Sequence, residues 1–589
     1  MFCSILSACS LFFCSITTRG AHLKDEEGRT LILRGVNVSG RAKYPVPGTD
    51  SYVNRPFSLE DARKHLGRIK NLGFNHIRFL TTWDAIEGAA PHQYDEDYLD
   101  YVEKFCALAE ELELYVVIDM HQDLFSRHLY GSGAPKWAVE AVGLDLAKLV
   151  AADALIDPES LIASNPEYLH LIWFFNYNRI ACQTLFTLFF GGNTFAPSAT
   201  YEGKPIQDFL QDQYIGALAT LMERLKGNPF VIGCNTMNEP HQGFIGTHLL
   251  NRSDNPLGAS PNYGDSLSMG AGLATSVEVF ERSMLQLKSV GIQVLNPQKL
   301  AIFKDGSPFE KEGVYTIENG EFILLKPEYF LYTDHQLDFQ KDFYLPFVSK
   351  LKRALHKVNP EALLFIEGIV GENLPILPEE LTDRTIVSFH WYEGLAFYLK
   401  RYLSNLSYSH LEKKVLWGRS GYIKEAMKKE LSTFSTHTIP SILSETGFSR
   451  DIPKEERKKC FERLFSIIDE LQLSAALWHF SPEGDAWNFE NFSIYKEGEE
   501  NDLSPFMRPF AAKVPGKIEL FHYNPSTKKL SLKMHWNPWQ RAPLEIRFPL
   551  ELTVMNPPPH SQVEPGRISI YNEFYSTVYL EIDFFQNTH

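Results

Sequence analysis

Cysteine is scarce in this 589-residue chain. Seven cysteines are present, three of them within the first fourteen residues, and the other four lie scattered through apolar stretches at Cys106, Cys182, Cys234 and Cys460. Their spacing is not that of a metal-binding cluster, and small domains held together by disulfides carry many more cysteines for their length. The sequence therefore predicts neither a zinc site nor a disulfide framework.

Positive charge is also in short supply. The chain carries 57 Lys and Arg residues against 73 Asp and Glu residues, which leaves a formal net charge of −16. Nucleic-acid backbones are bound by basic surfaces, and no stripe of Lys and Arg runs along this sequence. The composition therefore argues against a nucleic-acid partner.

Long apolar runs are missing beyond the N-terminus. No later segment has the roughly 18 unbroken apolar residues that a membrane-spanning helix requires, so the sequence predicts no such helix there. Residues 1–16 are mostly apolar and are similar to the core of a secretory signal, but the basic residues that normally precede such a core are missing. A secreted or vacuolar location would follow from a cleaved segment at residues 1–20, and a cytoplasmic location from its absence.

The N-terminal region has a second interpretation. Residues 14–23 have the pattern of a first β-strand, which would pair with residues 30–38 across the Asp-Glu-Glu-Gly turn at 25–28. We favour this strand from about residue 12 onward, which would make the segment part of the fold.

Eight short apolar runs, each with the length of a buried strand, alternate with amphipathic segments of helical period. The runs are residues 31–38, 74–82, 114–121, 230–238, 362–368, 385–392, 440–447 and 474–480. This count predicts an α/β fold, a (β/α)8 TIM barrel. A doubly wound open sheet is the competing architecture, but it would place a ligand at one switch point rather than along all the strand ends.

The length of the chain predicts more than one domain. We expect the barrel to occupy residues 21–510, with long insertions at 122–228 and 241–361 on its catalytic face. Short alternating runs separated by Pro, Asn and Gly turns predict an antiparallel β-sandwich over residues 511–589. The aromatic stretches of the first insertion predict a buried helical hairpin or, alternatively, the wall of an apolar groove for a lipid.

Two glutamates follow the same local pattern. Glu239 and Glu445 each close an apolar run, at the predicted ends of the fourth and seventh strands, where barrel strands converge on one rim. A retaining glycosidase needs one protonated and one ionised carboxyl group about 5 to 5.5 Å apart. The neighbouring Asn238 can donate an amide hydrogen bond to a sugar hydroxyl. The pattern therefore predicts a glycosidase pair.

Short motifs recur at the ends of the predicted strands. They are LRGVN at 33–37, GFNHIR at 73–78, IDMHQD at 118–123, TMNEP at 236–240, HWY at 390–392, SETG at 444–447 and the late Trp478. Together they resemble glycoside hydrolase family 5, and within it the branch of endoglycoceramidases, fungal-type glucosylceramidases and sterylglucosidases. The resemblance covers most of the chain and implies that Glu239 is the acid/base and Glu445 the nucleophile.

The resemblance also implies roles around the nucleophile. Arg78 would lie near Glu445, where its fixed positive charge keeps the carboxylate ionised and lowers its pKa. Tyr392 would donate its hydroxyl to the same carboxylate, and His390 would orient the acid or the sugar.

A further group of residues is expected to bind the sugar. His121, Gln122 and Asp123 follow the third strand and are candidates for contacts with hydroxyl groups, while Trp478 offers a flat surface beneath the sugar ring. Lys43 resembles a position of the glycolipid-hydrolysing enzymes. Two carboxylates complete the reaction by themselves, so neither a metal nor a cofactor is implied.

The sequence thus predicts a retaining β-glycosidase that removes a glucosyl or oligosaccharyl headgroup from a lipid such as a ceramide or a sterol, with peripheral contact to a membrane surface. Two alternatives stay open. One is an endo- or exo-β-glucanase acting on soluble or wall polysaccharide, and the other is a catalytically idle barrel that only binds glycolipid.

Overall fold

The chain forms a closed barrel of eight parallel strands. The computed structural model describes residues 16–43, 55–158, 172–253, 256, 258–283, 286–435, 438–483, 487, 490–572 and 577–587. Each predicted apolar run contains one barrel strand, and neighbours along the chain are neighbours in the barrel. The TIM-barrel prediction is confirmed, and closure excludes the open sheet. The strands are β1 (Arg34–Val38), β2 (His76–Thr81), β3 (Tyr115–Met120), β4 (Val231–Asn235), β5 (Leu363–Glu367), β6 (Thr385–His390), β7 (Ser441–Thr446) and β8 (Ser474–Phe480).

The barrel interior changes character along its axis. Buried apolar side chains fill its N-terminal half, among them Val117 of β3 and Phe365 of β5. Side chains of a strand alternate between two faces, so the residues two positions later, Asp119 and Glu367, point into the same interior nearer the C-terminal rim. Both are buried. The alternation therefore places a layer of polar side chains at the C-terminal end of the barrel interior, next to a layer of apolar side chains in its N-terminal half.

A glycine of the first strand permits close packing of its neighbour. A Cβ atom added at Gly35 would lie 1.8 Å from the backbone oxygen of His76 in β2. No side chain larger than hydrogen fits there, which explains the glycine of the LRGVN motif at 33–37.

Amphipathic helices surround the barrel. The first of them, Leu59–Asn71, is capped by the Ser58 side chain, which accepts a hydrogen bond from the Asp61 backbone N–H, and it buries Leu66 and Ile69 on one face. The predicted helical segments near residues 59–72, 97–113 and 455–471 are all present. The α-helices of the described residues are Leu59–Asn71, Trp83–Glu87, Glu96–Glu111, Lys136–Ala141, Ile180–Phe195, Ile206–Arg224, Tyr263–Gly270, Pro308–Lys311, Leu345–Val358, Gly394–Leu399, Ser420–Phe434 and Lys454–Leu471. None of the helices in the described ranges is both long and apolar enough to cross a bilayer.

The aromatic stretch of the first insertion forms the helix Ile180–Phe195. Its Phe186, Phe189 and Phe190 side chains are fully buried. The ring of Phe189 packs edge-on against Phe347 of the barrel helix Leu345–Val358, with 5.2 Å between centroids. The buried interpretation is therefore correct for this helix, whose rings do not line an open groove, whereas Phe174 of the other aromatic stretch is 47% exposed. Residues 159–171 of the same insertion lie outside the described part.

Small antiparallel sheets form within the loops. The pairs are Thr200–Tyr201 with Lys204–Pro205, Tyr315–Glu318 with Glu321–Leu324, Leu406–Ser409 with Lys414–Trp417, and a three-stranded sheet of Gly258–Ala259, Thr275–Ser283 and Gln286–Leu295. All of them belong to segments that follow the C-terminal ends of barrel strands, which is the face that carries active sites in this fold.

Two antiparallel sheets form the C-terminal region and pack around Phe521, Leu532, Ile546 and Phe584. One sheet has the order Thr17–Arg19, His22–Lys24, Thr30–Leu31, Phe510–Val514, Leu544–Arg547, Arg567–Ile570 and Ser561–Glu564. The other has the order Gly516–Asn524, Lys529–Trp536, Thr577–Gln586 and Leu552–Val554. The predicted antiparallel sandwich is present, and the N-terminal strands complete one of its sheets.

The N-terminal region differs from the single strand expected over residues 14–23. The backbone turns at Gly20, whose φ of +55° suits glycine, so Thr17–Arg19 and His22–Lys24 form a tight hairpin. The second strand then reaches Thr30–Leu31 through a Lys24–Thr30 pair. Residues 1–15 of the expected signal-like segment lie outside the described part, and the exact domain limits stay a prediction.

Candidate active site

Glu239 and Glu445 meet at the C-terminal rim of the barrel. Glu445 lies within β7, and Glu239 follows β4 with a positive φ of 40° that turns the chain out of the strand. The carboxylate oxygens of the two residues and a ring nitrogen of His390 all lie within 4.8 Å of one another. So short a separation fits a retaining pair, whose carboxyl groups lie ~5 to 5.5 Å apart, and not an inverting pair, whose carboxyl groups lie ~6.5 to 9.5 Å apart.

Arg78 of β2 is the central cation of the site. Its side chain is buried, and Nη1 lies 2.5 Å from Glu445 Oε1. Nη2 donates to Asp119 and Glu367 at 2.8 Å each, while Nη1 also donates to Asn37 at 2.8 Å. A buried charge of this kind persists only when several partners compensate its lost hydration. The barrel supplies three carboxylates for this one guanidinium.

The two glutamates differ in their tendency to ionise. Burial alone would raise the pKa of Glu445, but the positive charges of His390 and Arg78 lower it below its ordinary value. Tyr392 Oη also donates to Glu445 Oε2 at 3.0 Å. Burial raises the pKa of Glu239, and the negative charges of Glu445 and Asp123 raise it further, against the opposing effect of His390. The pKa of Glu239 is thereby raised and that of Glu445 lowered, which is the order that a proton donor and a nucleophile require.

His390 connects the pair. Its Nδ1 lies 2.7 Å from Glu239 Oε1 and 3.5 Å from Glu445 Oε2, and its Nε2 lies 3.3 Å from Glu367 Oε1. Burial would lower the pKa of His390, yet the charges of Glu445 and Glu367 raise it well above its ordinary value. The ring is therefore a cation placed between carboxylates.

Known proteins of similar sequence decide the family. The family model for Cellulase (glycosyl hydrolase family 5) matches residues 26–154. A glucosylceramidase of Rhizopus delemar is 30% identical to this chain over 86% of the chain and 86% of its own length. The chain belongs to glycoside hydrolase family 5. It is therefore an O-glycosyl hydrolase that acts with retention.

Two more relatives of this family 5 hydrolase span most of its length. An ergosteryl-beta-glucosidase of Saccharomyces cerevisiae is 28% identical over 83% of this chain and 76% of its own length. The crystal structure of Cryptococcus neoformans sterylglucosidase 1 superposes with a TM-score of 0.88 at 25% identity, covering 97% of both chains. Barrel, insertions and C-terminal sheets are thus aligned together.

Glu367 is a site residue of this family 5 hydrolase that the sequence analysis missed. Besides its ion pairs with Arg78 and His390, it accepts hydrogen bonds from Asn235 Nδ2 at 2.5 Å and from the backbone N–H of Glu239 at 3.0 Å. Burial would raise the pKa of Glu367, but His390 and Arg78 lower it to about 2. Its signal was visible, because an apolar run that closes on Glu and Gly at 366–368 repeats the pattern around Glu445.

His121 and Asp123 follow β3, as expected. His121 Nδ1 lies 2.8 Å from Asp119 Oδ2, its Nε2 lies 3.2 Å from Asp123 Oδ2, and its ring stacks on Trp478 at 5.5 Å between centroids. Asp119, quoted within the motif at 118–123 but not singled out, therefore holds the tautomer and the orientation of His121. This stacking holds the ring of Trp478 in β8 against His121, next to Asp119 and Asp123.

Lys43 is buried in the same corner. Its Nζ lies 2.8 Å from Asp123 Oδ2 and 4.5 Å from the centre of the Trp478 ring. Burial would lower the pKa of Lys43, but Asp123 and Glu490 raise it, and the lysine in turn helps to lower the pKa of Asp123. These contacts place Lys43 in a buried polar corner of the site, which supports the expectation that it binds the sugar.

Glu490 is a second residue that sequence reasoning missed. Its carboxyl group accepts a hydrogen bond from Trp478 Nε1 at 3.2 Å. Burial raises the pKa of Glu490 to about 7, although Lys43 opposes this shift. Nothing in its local sequence marks it, since it belongs to an irregular loop after β8.

The side-chain amides of Asn238 and Gln122 donate hydrogen bonds to backbone carbonyl groups at the rim of the barrel. Asn238 Oδ1 accepts from Arg78 Nη2 at 2.8 Å, and its Nδ2 donates to the Gln122 carbonyl at 3.0 Å. Gln122 Nε2 donates to the Asn238 and Glu239 carbonyls at 2.8 Å each. Gln122 was expected to bind sugar, but its amide instead fixes the turn that carries Glu239.

Two sets of acidic and histidine side chains are close enough to share a cation. They are Asp119, His121 and Glu445, and Glu239, His390 and Glu445, with ligand atoms within 4.8 Å of one another. Both sets include Glu445, which already faces the buried guanidinium of Arg78. Positive charge supplied by the protein is therefore already present beside Glu445.

Proposed function

We propose that Glu239 is the acid/base and Glu445 the nucleophile of this family 5 hydrolase, and that its substrate is a β-glucoside of a lipid. The observation that carries the proposal is the pairing of two carboxyl groups within 4.8 Å of each other whose pKa values are shifted in opposite directions. A retaining mechanism requires this combination.

The first step transfers one proton and exchanges one bond at the anomeric carbon for another. Glu239 gives its proton to the glycosidic oxygen while Glu445 attacks the anomeric carbon, so the lipid alcohol departs and a glycosyl ester remains on Glu445. In the second step, ionised Glu239 takes a proton from water, and the resulting hydroxyl group displaces Glu445 from the sugar. Both steps invert the anomeric carbon, and together they retain its configuration.

The surrounding residues set the charges that these steps need. Arg78 and Tyr392 stabilise ionised Glu445 before attack, and protonated His390 lies beside both carboxylates. When Glu445 becomes an ester its charge disappears, which lowers the pKa of Glu239 and prepares it to act as a base. The coupling between the two groups thus changes the role of Glu239 between steps.

We assign the sugar contacts to the corner formed by His121, Asp123, Lys43 and Trp478. Asp123 can accept hydrogen bonds from hydroxyl groups, Lys43 can donate them, and the indole of Trp478 offers a face for the ring. Asn238 contributes an amide beside Glu239. We further propose the organisation predicted from the sequence, with a barrel within residues 21–510 and a sandwich over 511–589, except that the strands between Thr17 and Leu31 belong to a sheet of the sandwich.

The lipid aglycone is supported by the relatives. The Rhizopus glucosylceramidase and the Cryptococcus sterylglucosidase align over most of both chains, so the likeness extends beyond the catalytic motifs to the insertions around the rim. We propose a glucosyl ceramide or steryl glucoside as substrate, with peripheral contact to the membrane that contains it.

The decisive experiment uses four substrates with the pure protein: glucosylceramide, a steryl glucoside, a glycosphingolipid with a longer glycan, and cellotetraose. Mass spectrometry identifies the released sugar and lipid. Free glucose from either of the first two is the expected result. An intact oligosaccharide with ceramide would indicate endo-cleavage, and cleavage of cellotetraose alone would overturn the lipid substrate while leaving the mechanism in place.

A further inference from the structure

A compact platform with exposed apolar side chains rises from the loop after β6. Its frame is the helix Gly394–Leu399 and the hairpin of Leu406–Ser409 with Lys414–Trp417. Trp417 is 76% exposed, and Leu399 and Tyr422 are more than half exposed. The neighbouring loop after β5 carries Ile376, which is 99% exposed. Soluble proteins seldom concentrate large apolar side chains in water without a partner.

The platform is held firmly to the catalytic rim. His410 at the hairpin turn lies with its Nε2 2.8 Å from the carbonyl oxygen of Tyr392, the residue whose hydroxyl donates to Glu445. The buried carboxylate of Glu430 accepts from Trp391 Nε1, Ser409 Oγ and the His410 backbone N–H at 2.7 to 3.1 Å. The exposed side chains therefore keep a fixed position relative to the proposed nucleophile.

The two loops form one surface. Gly371 of the β5 loop approaches His410 so closely that an added Cβ atom would lie 3.9 Å from the His410 Cβ. Both loops follow the C-terminal ends of neighbouring strands, so their outer residues face the same side as the opening of the site. Trp417 and Ile376 thus belong to neighbouring loops on the catalytic face of the barrel.

The charge of the platform differs from that of the chain. Residues 394–422 contain one acidic side chain, Glu412, and five basic side chains, Lys400, Arg401, Lys413, Lys414 and Arg419. Two of these cations also form ion pairs at the surface, Lys414 with Glu412 and Arg401 with Glu456. The whole chain carries a net charge of −16. Exposed aromatic and aliphatic side chains interleaved with Lys and Arg are the composition of a surface that binds the headgroup region of anionic bilayers.

We propose that residues 394–422, together with Ile376, form a docking surface for an anionic phospholipid bilayer. Trp417 and Ile376 enter the interface, the basic residues contact the headgroups, and the site mouth faces the membrane. The role of this surface rests on the proposed function, because docking there presents a membrane-borne glucoside to Glu239 and Glu445. Binding to the bilayer itself requires no catalysis.

The test is co-sedimentation with vesicles that contain no glycolipid. Inactive Glu445→Gln protein is mixed with vesicles of phosphatidylcholine alone or of phosphatidylcholine with phosphatidylserine, at low and at high salt. We expect binding to the mixed vesicles that weakens as salt screens the charges. Trp417→Ala combined with Ile376→Ala is expected to weaken it by about 100-fold, since each large apolar side chain withdrawn from the interface contributes roughly ten-fold.

Matched controls lie in the C-terminal sandwich. Trp539 is 90% exposed there, and Trp539→Ala is expected to leave binding unchanged. Arg419→Glu is expected to reduce binding to the mixed vesicles, whereas Lys517→Glu, also in the sandwich, is not. Failure of the protein to sediment with any vesicle, or an equal loss with the sandwich variants, would overturn the inference. Either result would leave the hydrolysis of a soluble aryl glucoside untouched.

Discussion

The backbone N–H of Glu239 donates a hydrogen bond to Glu367 Oε2 at 3.0 Å. A buried carboxylate that takes no direct part in the proposed steps therefore holds the turn on which the acid/base stands. The other oxygen of Glu367 lies 2.8 Å from Arg78 Nη2 and 3.3 Å from His390 Nε2. Glu367 is thereby a positioning residue connected to both proposed catalytic carboxyl groups.

Glu367→Gln keeps the shape of this residue and removes its charge. The negative charge of Glu367 raises the pKa of Glu445, so its loss should move the acid limb of the kcat/KM profile to lower pH. We also expect kcat to fall by about 10- to 100-fold, because hydrogen bonds to charged groups are weakened. The measurement is a pH profile with an aryl glucoside. Glu367→Asp should keep the acid limb in place, and a general structural defect would lower kcat without moving it.

Replacing the two proposed catalytic residues should give different defects. Glu445→Gln should reduce turnover by at least about 10⁴-fold for every substrate, because no nucleophile remains. Glu239→Gln should still form the glycosyl ester from an aryl glucoside with a good leaving group, but it should hydrolyse that ester about 10²- to 10⁴-fold more slowly. Mass spectrometry of the intact protein would detect the accumulated ester. Accumulation in the Glu445 variant instead would reverse the two roles.

Lys43 and Asp123 form a buried ion pair at 2.8 Å. Lys43→Met should destabilise the fold by about 3 to 5 kcal/mol, because it leaves the Asp123 carboxylate buried without its main partner. The double variant Lys43→Met with Asp123→Asn should recover most of that stability. It should not recover kcat/KM if the pair binds the sugar. Thermal unfolding and kinetics on the same samples separate the two effects, and recovery of both would show a purely structural pair.

Glu87 is a buried carboxyl group away from the catalytic pair. It accepts hydrogen bonds from Trp83 Nε1 at 2.8 Å and from the His92 backbone N–H at 2.5 Å, and burial raises its pKa to about 7 from an ordinary value of 4.5. The folded state therefore prefers the proton, and stability is lost as pH rises from about 4.5 to about 7.

Glu87→Gln should remove this dependence, because glutamine resembles the protonated acid at every pH. We expect the melting temperature of the variant, relative to the original protein, to rise between pH 4 and pH 8. The exposed Glu60→Gln removes the same charge from the surface and serves as the control for the change in net charge. A constant difference across this range would contradict the raised pKa of Glu87.

The barrel was predictable because its strands have a strong local signature. Runs such as 114–121 and 362–368 are apolar, short and bounded by turn residues, which is typical of strands that are buried on both faces in a parallel sheet. The carboxylates at 239 and 445 were predictable because each closes such a run. Glu367 closes one as well, yet the family motifs do not include it, and a local pattern alone does not reveal how many strand-end acids share one cation.

The buried corner around Lys43 was only partly predictable. The sequence places Lys43 in a loop after β1, Asp123 after β3 and Glu490 in a loop after β8. Their meeting depends on which barrel strands are neighbours and on how the loops fold over the rim. The same holds for the platform at residues 394–422, whose exposed Trp417 resembles an ordinary buried aromatic until the packing around it is known.

The sequence by itself determined the strands, the barrel and the two glutamates, because apolar periodicity and residue type act over a few neighbouring positions. Only the tertiary structure decided the charge state of each carboxyl group, since this depends on Arg78 and His390, which lie far away in the chain and within hydrogen-bonding distance in space. It also decided that Thr30–Leu31 pairs with Phe510–Val514. Contacts between such distant segments form only when the whole chain has closed, and no local pattern encodes them.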